Sequence, residues 1–493
     1  MITATDMITA VIKRGAMTQN QFFEAEIAKW KASEARKSQI IGERYYKGEQ
    51  EILERPRQAI DECGKLQTVD NLPNNHVVDN QYANMVDQKT NYLLGQPLTI
   101  SVGDKTKENE ADKTYETELQ SILNKRFHRT LNNLGMDSLN GAVGWLHPYY
   151  DKSLELRFKR FAPYECLPFW RDSEHSELDC LLRHYEVQGW EGNSEITVEK
   201  VEIYWPDRVD RFEVNNGVLS QDPDNPSGPH VTLQGEDGEQ GYGWGRVPII
   251  AWKYNSKEIP LINKVKCLQD AINLMLSDIL NAMQEDPGNA ILVIRNYDGE
   301  DLGQFRRNLT AYRAVKVSSQ DGVEGGVETL SIAVNAQNYE LILKLLKRAL
   351  VENAKGYDAK DDRLGGNPNQ MNLQSMYNDI DLDANKMETE FQASFEELLW
   401  FINIHLQNVG KGDFSSIEVE IIFNRDMLMN ESEIMKMLQG SGVRISNETL
   451  IAQVPFISDI RGELDRLEAE DKAASENYSG AFGQKGDGEG GNI

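Results

Sequence analysis

The chain has 493 residues, 40% hydrophobic and 27% charged, which excludes a fibrous or wholly disordered protein and leaves room for about three domains or one elongated subunit. A formal charge of −27 excludes a protein that grips nucleic acid over its whole surface, so any DNA contact has to be local. No apolar run approaches the roughly 20 residues of a membrane helix. Cys63, Cys166, Cys180 and Cys267 lack the spacing of a zinc site or a disulfide framework, so they are expected to be reduced, buried small hydrophobes.

The first stretch, MITATDMITAVIKRGAMTQNQ, lacks the basic-then-apolar order of a secretory signal. From Gln19 to Tyr46 apolar residues recur at helical spacing (Phe23, Ile27, Trp30) among Lys29, Lys31, Arg36 and Lys37. Tyr82, Met85, Val86, Lys89 and Leu93 mark a second helix. It closes at YLLGQPLTI, with Gly95 as a left-handed cap and Pro97 as a block, and Leu98 to Val102 then reads as a strand. Residues 104–135 return to a charged helical pattern. From about Gly141 the texture changes to short aromatic and β-branched segments (GWLHPYYD, LELRFKRFAPYECLPFW, LDCLLRHYEVQGW, ITVEKVEIYWPDRVDRFEV, RVPIIAWKYN), a run of antiparallel strands. The polar stretch from Ser220 to Gly245 reads as an exposed loop or hairpin excursion.

A long helix follows Pro260, with Val265, Leu268, Ile272, Met275, Ile279 and Met283 on one stripe, and stops at Asp286, Pro287 and Gly288. Next comes a small α/β insert: AILVIRN as a strand, GEDLGQFRRNL as a short helix, AVKVS and VETLSIA as further strands. Tyr339, Ile342, Leu343, Leu346, Leu350 and Ala354 make the returning helix, with Lys344, Lys347, Arg348 and Lys355 on its other faces. The pattern is an antiparallel helical pair with a module at its far tip, a shape with little core of its own that gains by packing against copies of itself. After DDRLGGNPNQMNLQ (Asp361–Gln374), helical spacing runs from Leu373 to Leu406; a helix from Pro368 to Gln407 spans about 60 Å, enough to bridge separate parts of a molecule. A strand (SSIEVEIIFN), short helices and a disordered Gly-rich tail from Ser479 complete the chain.

No catalytic, cofactor or metal-binding constellation emerges. The Gly365–Gly366 loop has neither GxxxxGK[ST] nor a GxGxxG after a strand. Asp379, Asp381, Asp383 and Glu390 copy the spacing of a calcium loop, but Ala384 stands where a glycine is needed and the apolar stripe continues through it, so a solvated acidic helix face is the expectation. The seven histidines show no HExxH or HxH pairing, and His405 reads as a core or surface residue rather than a ligand. Serines lack a GxSxG elbow, and the aromatic strands fit a β core better than base stacking. Asn367 is a suitable N-cap, Pro368 suits the first helical position and Gln370 can complete a capping box, so NPNQ starts the long helix with Gly365 and Gly366 as the hinge before it.

Taken in order, VVDNQYANMVDQKTNYLLGQPLTI, GRVPIIAWKYN, NKVKCLQDAINLMLSDILNAMQ, the insert and the loop with its long helix resemble the SPP1-type family of tailed-phage portal proteins, from about residue 35 to about 425. The resemblance implies an α+β, elongated, ring-forming subunit without ATPase activity. Its parts would be a wing (1–258, antiparallel strands and N-terminal helices), stem helices (259–286 and 336–356), a clip (287–335), a tunnel loop (357–371), a long wing helix and strand (372–425), a helical crown (426–478) and the tail (479–493). It implies a ring of twelve at one capsid vertex, with double-stranded DNA in the channel, and no cofactor and no membrane. The implied partners are the terminase large subunit, a head-completion or adaptor protein, and the scaffolding and major capsid proteins. It also implies a virion location, with host cytoplasm during assembly.

Twelve copies would carry about −320 charges, so an acidic channel would repel DNA and let it slide. Lys344, Lys347, Arg348 and Lys355 on the stem are then candidates for weak phosphate contacts, as are Lys360, Arg363, Gly365, Gly366, Asn367, Asn369 and Gln370 in and beside the loop. A solvated or salt-bridged helix face remains the alternative for the cations. Glu300, Asp301, Arg306 and Arg307 are the candidates for terminase and adaptor docking. Two other readings stay open: a head–tail connector or other virion ring protein without a packaging role, and a metal-dependent nuclease using Asp379, Asp381 and Asp383.

Overall fold

The computed structural model describes residues 4–15, 17–60, 64–69, 72–103, 109–235, 238–285, 291–295, 326–330, 336–358 and 370–425, together with residues 464, 466, 467 and 470. The chain divides into two compact units, Met1–Gly356 with Leu382–Arg425, and Tyr357–Asp381 with Asp426–Ile493. In the second unit the Tyr357 and Tyr377 rings lie 4.6 Å apart.

The helices in chain order are α1 (Ala4–Lys13), α2 (Gln19–Lys31), α3 (Glu34–Tyr46), α4 (Gln81–Leu94), α5 (Glu110–Ile122), α6 (Lys125–Gly141), α7 (Ile262–Glu285), α8 (Ala336–Ala354) and α9 (Gln370–Asn408). The single helix expected from Gln19 to Tyr46 is two. Ser33 ends α2 by donating its hydroxyl to the Trp30 carbonyl at 2.7 Å and starts α3 by accepting from the Arg36 N–H. Thr18 and Gln21 form a reciprocal capping box at the start of α2. The charged stretch after residue 104 likewise resolves into two helices, α6 being capped by Asn124. Gly95 does close α4, but with a right-handed φ of −69° rather than as a left-handed cap. A Cβ there would sit 2.4 Å from the Asn91 carbonyl oxygen, so close approach rather than handedness requires the glycine. Helix α1 was not legible as a helix, yet it places Ile8 in a core.

The aromatic stretch forms the expected antiparallel strands. One sheet has the order Val218–Gln221, Arg208–Asn215, Ser194–Tyr204, Leu178–Glu191, Cys166–Trp170. Strand alternation gives it two apolar faces. Cys180, Leu182, Val201 and Ile203 pack with Phe22, Phe23 and Ile27 of α2, while Leu181, Tyr204 and Val209 pack with Trp145, Phe161 and Val247. Trp145 and Phe161 belong to a second sheet, Ile250–Lys253 beside Val143–Tyr150 beside Leu156–Phe161. The polar stretch after Ser220 contains a hairpin, Val231–Gly235 with Gly238–Tyr242. Cys166 and Cys180 are buried as expected, Cys267 is exposed, and Cys63 lies outside the described residues. Cys267 falls on the outer side of α7, away from Val265, Gln269 and Ile272, which are buried.

Helix α9 begins at Gln370 and runs 39 residues, roughly 58 Å. Between Leu382 and its end it packs as predicted: Phe391 and Phe395 meet the buried Trp252 edge-on at 5.0 and 4.9 Å. Val419–Ile422 returns to pair with Thr99–Val102, so the strand predicted after α9 completes a ladder with the one after α4. Of the insert, Ile291–Arg295 and Gly326–Leu330 are described and pair antiparallel.

Candidate nucleic-acid interface

Helices α7 and α8 pack together, as the helical-pair reading requires. The inward face of α7 differs from the expected apolar stripe. Val265 and Ile272 are buried, but so are Gln269, Asn273, Ser277 and Asn281, a polar line at every fourth residue. These side chains bind the backbone of the segment before α4 and of its first turn. Asn281 accepts from the Asn75 N–H at 2.8 Å, Ser277 from Val77 at 3.0 Å, Asn273 from Asp79 at 3.0 Å and Gln269 from Tyr82 at 2.9 Å. Gln269 also donates to the Asp79 carbonyl at 2.7 Å. Every second amide from 75 to 79 is thus taken by a helix side chain where a sheet would offer a strand. Apolar residues of both helices are exposed: Met283 is 63% exposed, Leu341 58% and Leu345 56%.

The four predicted cations on and just after α8 all have carboxylate neighbours. Lys344 meets Glu340 at 2.7 Å and Arg348 meets Glu352 at 2.9 Å, both within one turn and well exposed. Such pairs contribute little and exchange readily for another anion. Lys347 reaches Asp79 at 2.6 Å, tying α8 to the clasped segment. Lys355 follows the last helical residue with a left-handed φ of 54°, its ammonium 3.9 Å from Asp383. Gly356 comes next, where a Cβ would lie 2.6 Å from the Met85 sulfur. Lys360, Arg363, Gly365, Gly366, Asn367 and Asn369 lie outside the described residues, as do Glu300, Asp301, Arg306 and Arg307; Gln370 is the first described residue of α9. Within one subunit, then, Lys344, Lys347, Arg348 and Lys355 each lie within 4 Å of a carboxylate.

The sequence reading missed a charged joint where α4, α7, α8 and α9 converge. Lys89, 5% exposed, donates to the Asp383 carboxylate at 2.8 Å and to the Lys355 carbonyl at 3.1 Å. The Tyr254 hydroxyl donates to the same Asp383 oxygen at 2.5 Å and accepts from the Lys264 ammonium at 3.2 Å, which also lies 4.9 Å from the Tyr254 ring centre. Burial pushes the Lys89 ammonium down to about 8, with Asp383 as the main counterweight. Burial opposes the charge on Asp383 too, yet Lys89, Tyr254 and Lys264 hold its carboxyl below the ordinary range. The signal was present in the sequence: Lys89 interrupts the stripe of Tyr82, Met85, Val86 and Leu93, and Asp383 falls beside Ile380, Ala384 and Met387. A charge on a buried stripe calls for a buried partner.

This joint corrects the reading of the acidic helix. The residues that mimic a calcium loop lie on one continuous helix, and Asp383 is buried and paired, not solvated. Asp381 stands about 200° around the axis from Asp379 and from Asp383, so the three carboxylates cannot share one metal. Among the described residues one other carboxylate trio, Glu213, Asp222 and Asp224, lies within ligand reach of a common point. Lys200 approaches Asp222 at 2.8 Å and Glu213 at 3.5 Å, so a cation already serves two of its members. His405 contacts the Tyr150 hydroxyl at 3.1 Å and is half-buried, as expected of a core or surface histidine. A cavity of about 480 Å³ is lined by Trp170, His175, Arg246, Lys253 and Glu397 among others. Burial pushes the Glu397 carboxyl up to about 7 against the opposing pull of Arg246 and Lys253. No helix among the described residues is long and apolar enough to cross a membrane.

A family model described as "Phage portal protein, SPP1 Gp6-like" matches residues 28–477. The portal protein of Bacillus phage SPP1 is 31% identical over 437 residues, covering 87% of this chain and 83% of that protein. The portal protein of Clostridium phage phiCD119 is 24% identical over 455 residues, covering 90% and 94%. Among solved structures, the neck of an empty gene transfer agent particle (TM-score 0.42) and the virion of the native particle (TM-score 0.38) are each 11% identical, covering 76% of this chain and 89% of the other; likeness at that level adds nothing to the assignment. The match across 28–477 and the identity to the SPP1 protein do decide it: this chain belongs to the SPP1-type family of phage portal proteins.

Proposed function

We propose that this portal subunit forms a ring of twelve at one capsid vertex, through which double-stranded DNA is packaged by a docked terminase and later ejected. As a portal protein the chain is a homo-oligomeric ring component of the virion. The observation that carries the proposal is the family match over nearly the whole chain, stem, insert and long helix included. Three features support it. Exposed leucines and a methionine on α7 and α8 suit packing against further copies. The cations of α8 are held in weak surface pairs, so phosphates can be met briefly and released. The charge of −27 disfavours tight DNA binding by the ring as a whole. The clip (287–335), with Glu300, Asp301, Arg306 and Arg307, is the proposed dock for the terminase large subunit and for the adaptor protein. The wing is proposed to face the scaffolding and major capsid proteins, with assembly in the host cytoplasm.

The nuclease alternative loses its three-carboxylate site to the Lys89–Asp383 pair, and we propose that the ring has no catalytic role. Deleting residues 363–369 tests the channel role and separates it from that of a passive connector. Rings are expected to form normally by electron microscopy while DNA packaging in a terminase-driven assay is lost; packaging at the undeleted level refutes the tunnel-loop assignment.

A further inference from the structure

The sheet of Ile250–Lys253, Val143–Tyr150 and Leu156–Phe161 ends on Leu156–Phe161, which has a strand on one side only. Glu155 accepts from the Asp151 N–H at 3.1 Å, and Arg157 and Lys159 stand opposite Tyr149 and His147. These residues turn their backbone groups inward to the ladder. Leu156 and Phe158 between them turn theirs to the open edge, two N–H donors and two C=O acceptors that no described residue takes up. Residues Leu154 to Phe158 of this edge border a cavity of about 850 Å³, also lined by the end of α5 and the first half of α6 (Ser121 to Asn133) and by His405 and Val409. Part of the lining is apolar: Phe127 and Phe158 meet edge to face at 5.2 Å, and Leu154 and Val409 are exposed. Its charge is one-sided, with Arg126, Arg129 and Arg157 against a single carboxylate, Glu155. Arg157 is committed to Asp151 at 3.0 Å and to Glu155. Carboxylates on the flanking helices are taken too: Glu116 by Gln120 at 3.3 Å, Glu118 by Lys411 at 2.7 Å, and Asp137, the only acid of α6, by Arg160. Arg126 and Arg129 are exposed and, among the described residues, belong to no ion pair.

We infer that this groove takes an extended acidic segment of a partner protein, added as a strand to the open edge of Leu156–Phe161, with its carboxylates met by Arg126 and Arg129. Strand addition joins main-chain pairing, which supplies affinity, to contacts of alternate side chains, which supply selectivity. The edge calls for a backbone that carries both N–H and C=O groups. A nucleic-acid backbone brings acceptors to the phosphate-facing side and would leave the Leu156 and Phe158 carbonyls without donors. The apolar lining likewise suits side chains better than phosphates. Charge decides which segment fits. Arg157, Lys159 and Arg160 lie along the edge, so the same edge of a second copy is repelled and an acidic strand is admitted. Guanidinium groups fit carboxylates two bonds at a time, which gives the two unpaired arginines a matching partner. The inference stands whether or not DNA passes through the ring.

The test uses the assembled full-length protein and a labelled probe peptide, acetyl-Asp-Val-Thr-Val-Asp-Val-Thr-Val-amide, with binding followed by anisotropy. The wild-type ring is expected to bind the probe. N-methylation of the probe's amides, which keeps its charges and side chains but removes its donors, should abolish binding. Arg126→Gln/Arg129→Gln should lower affinity about tenfold at low salt and flatten its salt dependence, while Lys29→Gln on α2 leaves both unchanged. Leu156→Pro removes one outward N–H at a position where an edge strand tolerates proline, and should weaken the probe while ring assembly and melting temperature are kept. Should that variant fail to fold, the methylated probe and the double Gln variant still decide the matter. Failure of the wild-type ring to bind the probe overturns the inference, as does equal binding of the methylated probe. Unchanged affinity in the double Gln variant overturns the role of the arginines. Binding of a labelled DNA duplex that depends on Arg126 and Arg129, with no binding of the probe, also overturns the inference and gives the cavity to nucleic acid.

Discussion

Replacing Lys89 by methionine keeps the unbranched apolar stem but deletes the ammonium. Asp383, 5% exposed, is then left with the Tyr254 hydroxyl and with Lys355 at 3.9 Å. Removing one member of a buried pair costs about 3–5 kcal/mol. Part of that is returned, because Lys89 in the fold holds its proton only to about 8 instead of 10.5, so keeping it charged costs roughly 3 kcal/mol. The net loss expected for Lys89→Met is therefore about 0–2 kcal/mol, against about 3 for Asp383→Asn, which strands the ammonium. The double variant should lose about 1–3 kcal/mol less than the sum. Urea unfolding followed by tryptophan fluorescence measures this, Trp252 reporting on its contacts with Phe391 and Phe395. The pH dependence gives a second reading. Between about pH 8 and 10.5 the unfolded chain binds this proton and the folded chain does not, so wild-type stability rises relative to Lys89→Met across that window. Strictly additive losses, or a relative fall over that pH range, would refute the coupled buried pair.

Gly42→Ala places a Cβ 2.2 Å from the Asn140 carbonyl oxygen, so α3 and α6 must separate, at a cost of about 3 kcal/mol visible as a lower melting temperature. Asn273→Leu leaves the Asp79 N–H without its acceptor and should cost about 2 kcal/mol, with faster hydrogen exchange at residues 75–79 while α4 stays protected. For Glu397 the sign is opposite to that of Lys89. Its folded carboxyl holds a proton up to about 7 against 4.5 when unfolded, so stability falls as pH rises through that interval. Glu397→Gln should flatten this slope and leave the protein more stable than wild type at pH 8.

Where a segment's partner is the general apolar interior, its pattern could be read directly. The aromatic strands from Val143 to Lys253 and the stripe of Phe391, Phe395, Leu398 and Ile402 bury what their periods predict. Where the partner is one specific backbone, the pattern misled. Gln269, Asn273, Ser277 and Asn281 look like a wet helix face because polar side chains four apart carry no mark of what they bind, and only the segment from Asn75 to Asp79 reveals it. Gly95 was given a left-handed cap because that is the commonest reason for a glycine at a helix end, whereas here the Asn91 carbonyl leaves no room for a side chain. For Lys344 and Arg348 the carboxylate partners, Glu340 and Glu352, lie one turn away on the same helix and were equally readable. The joint was half-visible, as a lysine and an aspartate on two separate apolar stripes; that they meet each other is a tertiary fact.

The clasp of α7 on the segment before α4 works like a vernier. Two residues of extended chain advance about 6.6 Å, while four residues of helix advance about 6.0 Å. Across the rungs Asn75–Asn281, Val77–Ser277 and Asp79–Asn273 the two scales drift by only about 1.2 Å, which side-chain rotamers absorb. Each further rung would add another 0.6 Å or so, and the amides would soon fall out of reach. The clasp therefore fixes its own length. Where it ends, Gln269, longer by one methylene, reaches across to the first turn of α4 and hands the chain over to a helix.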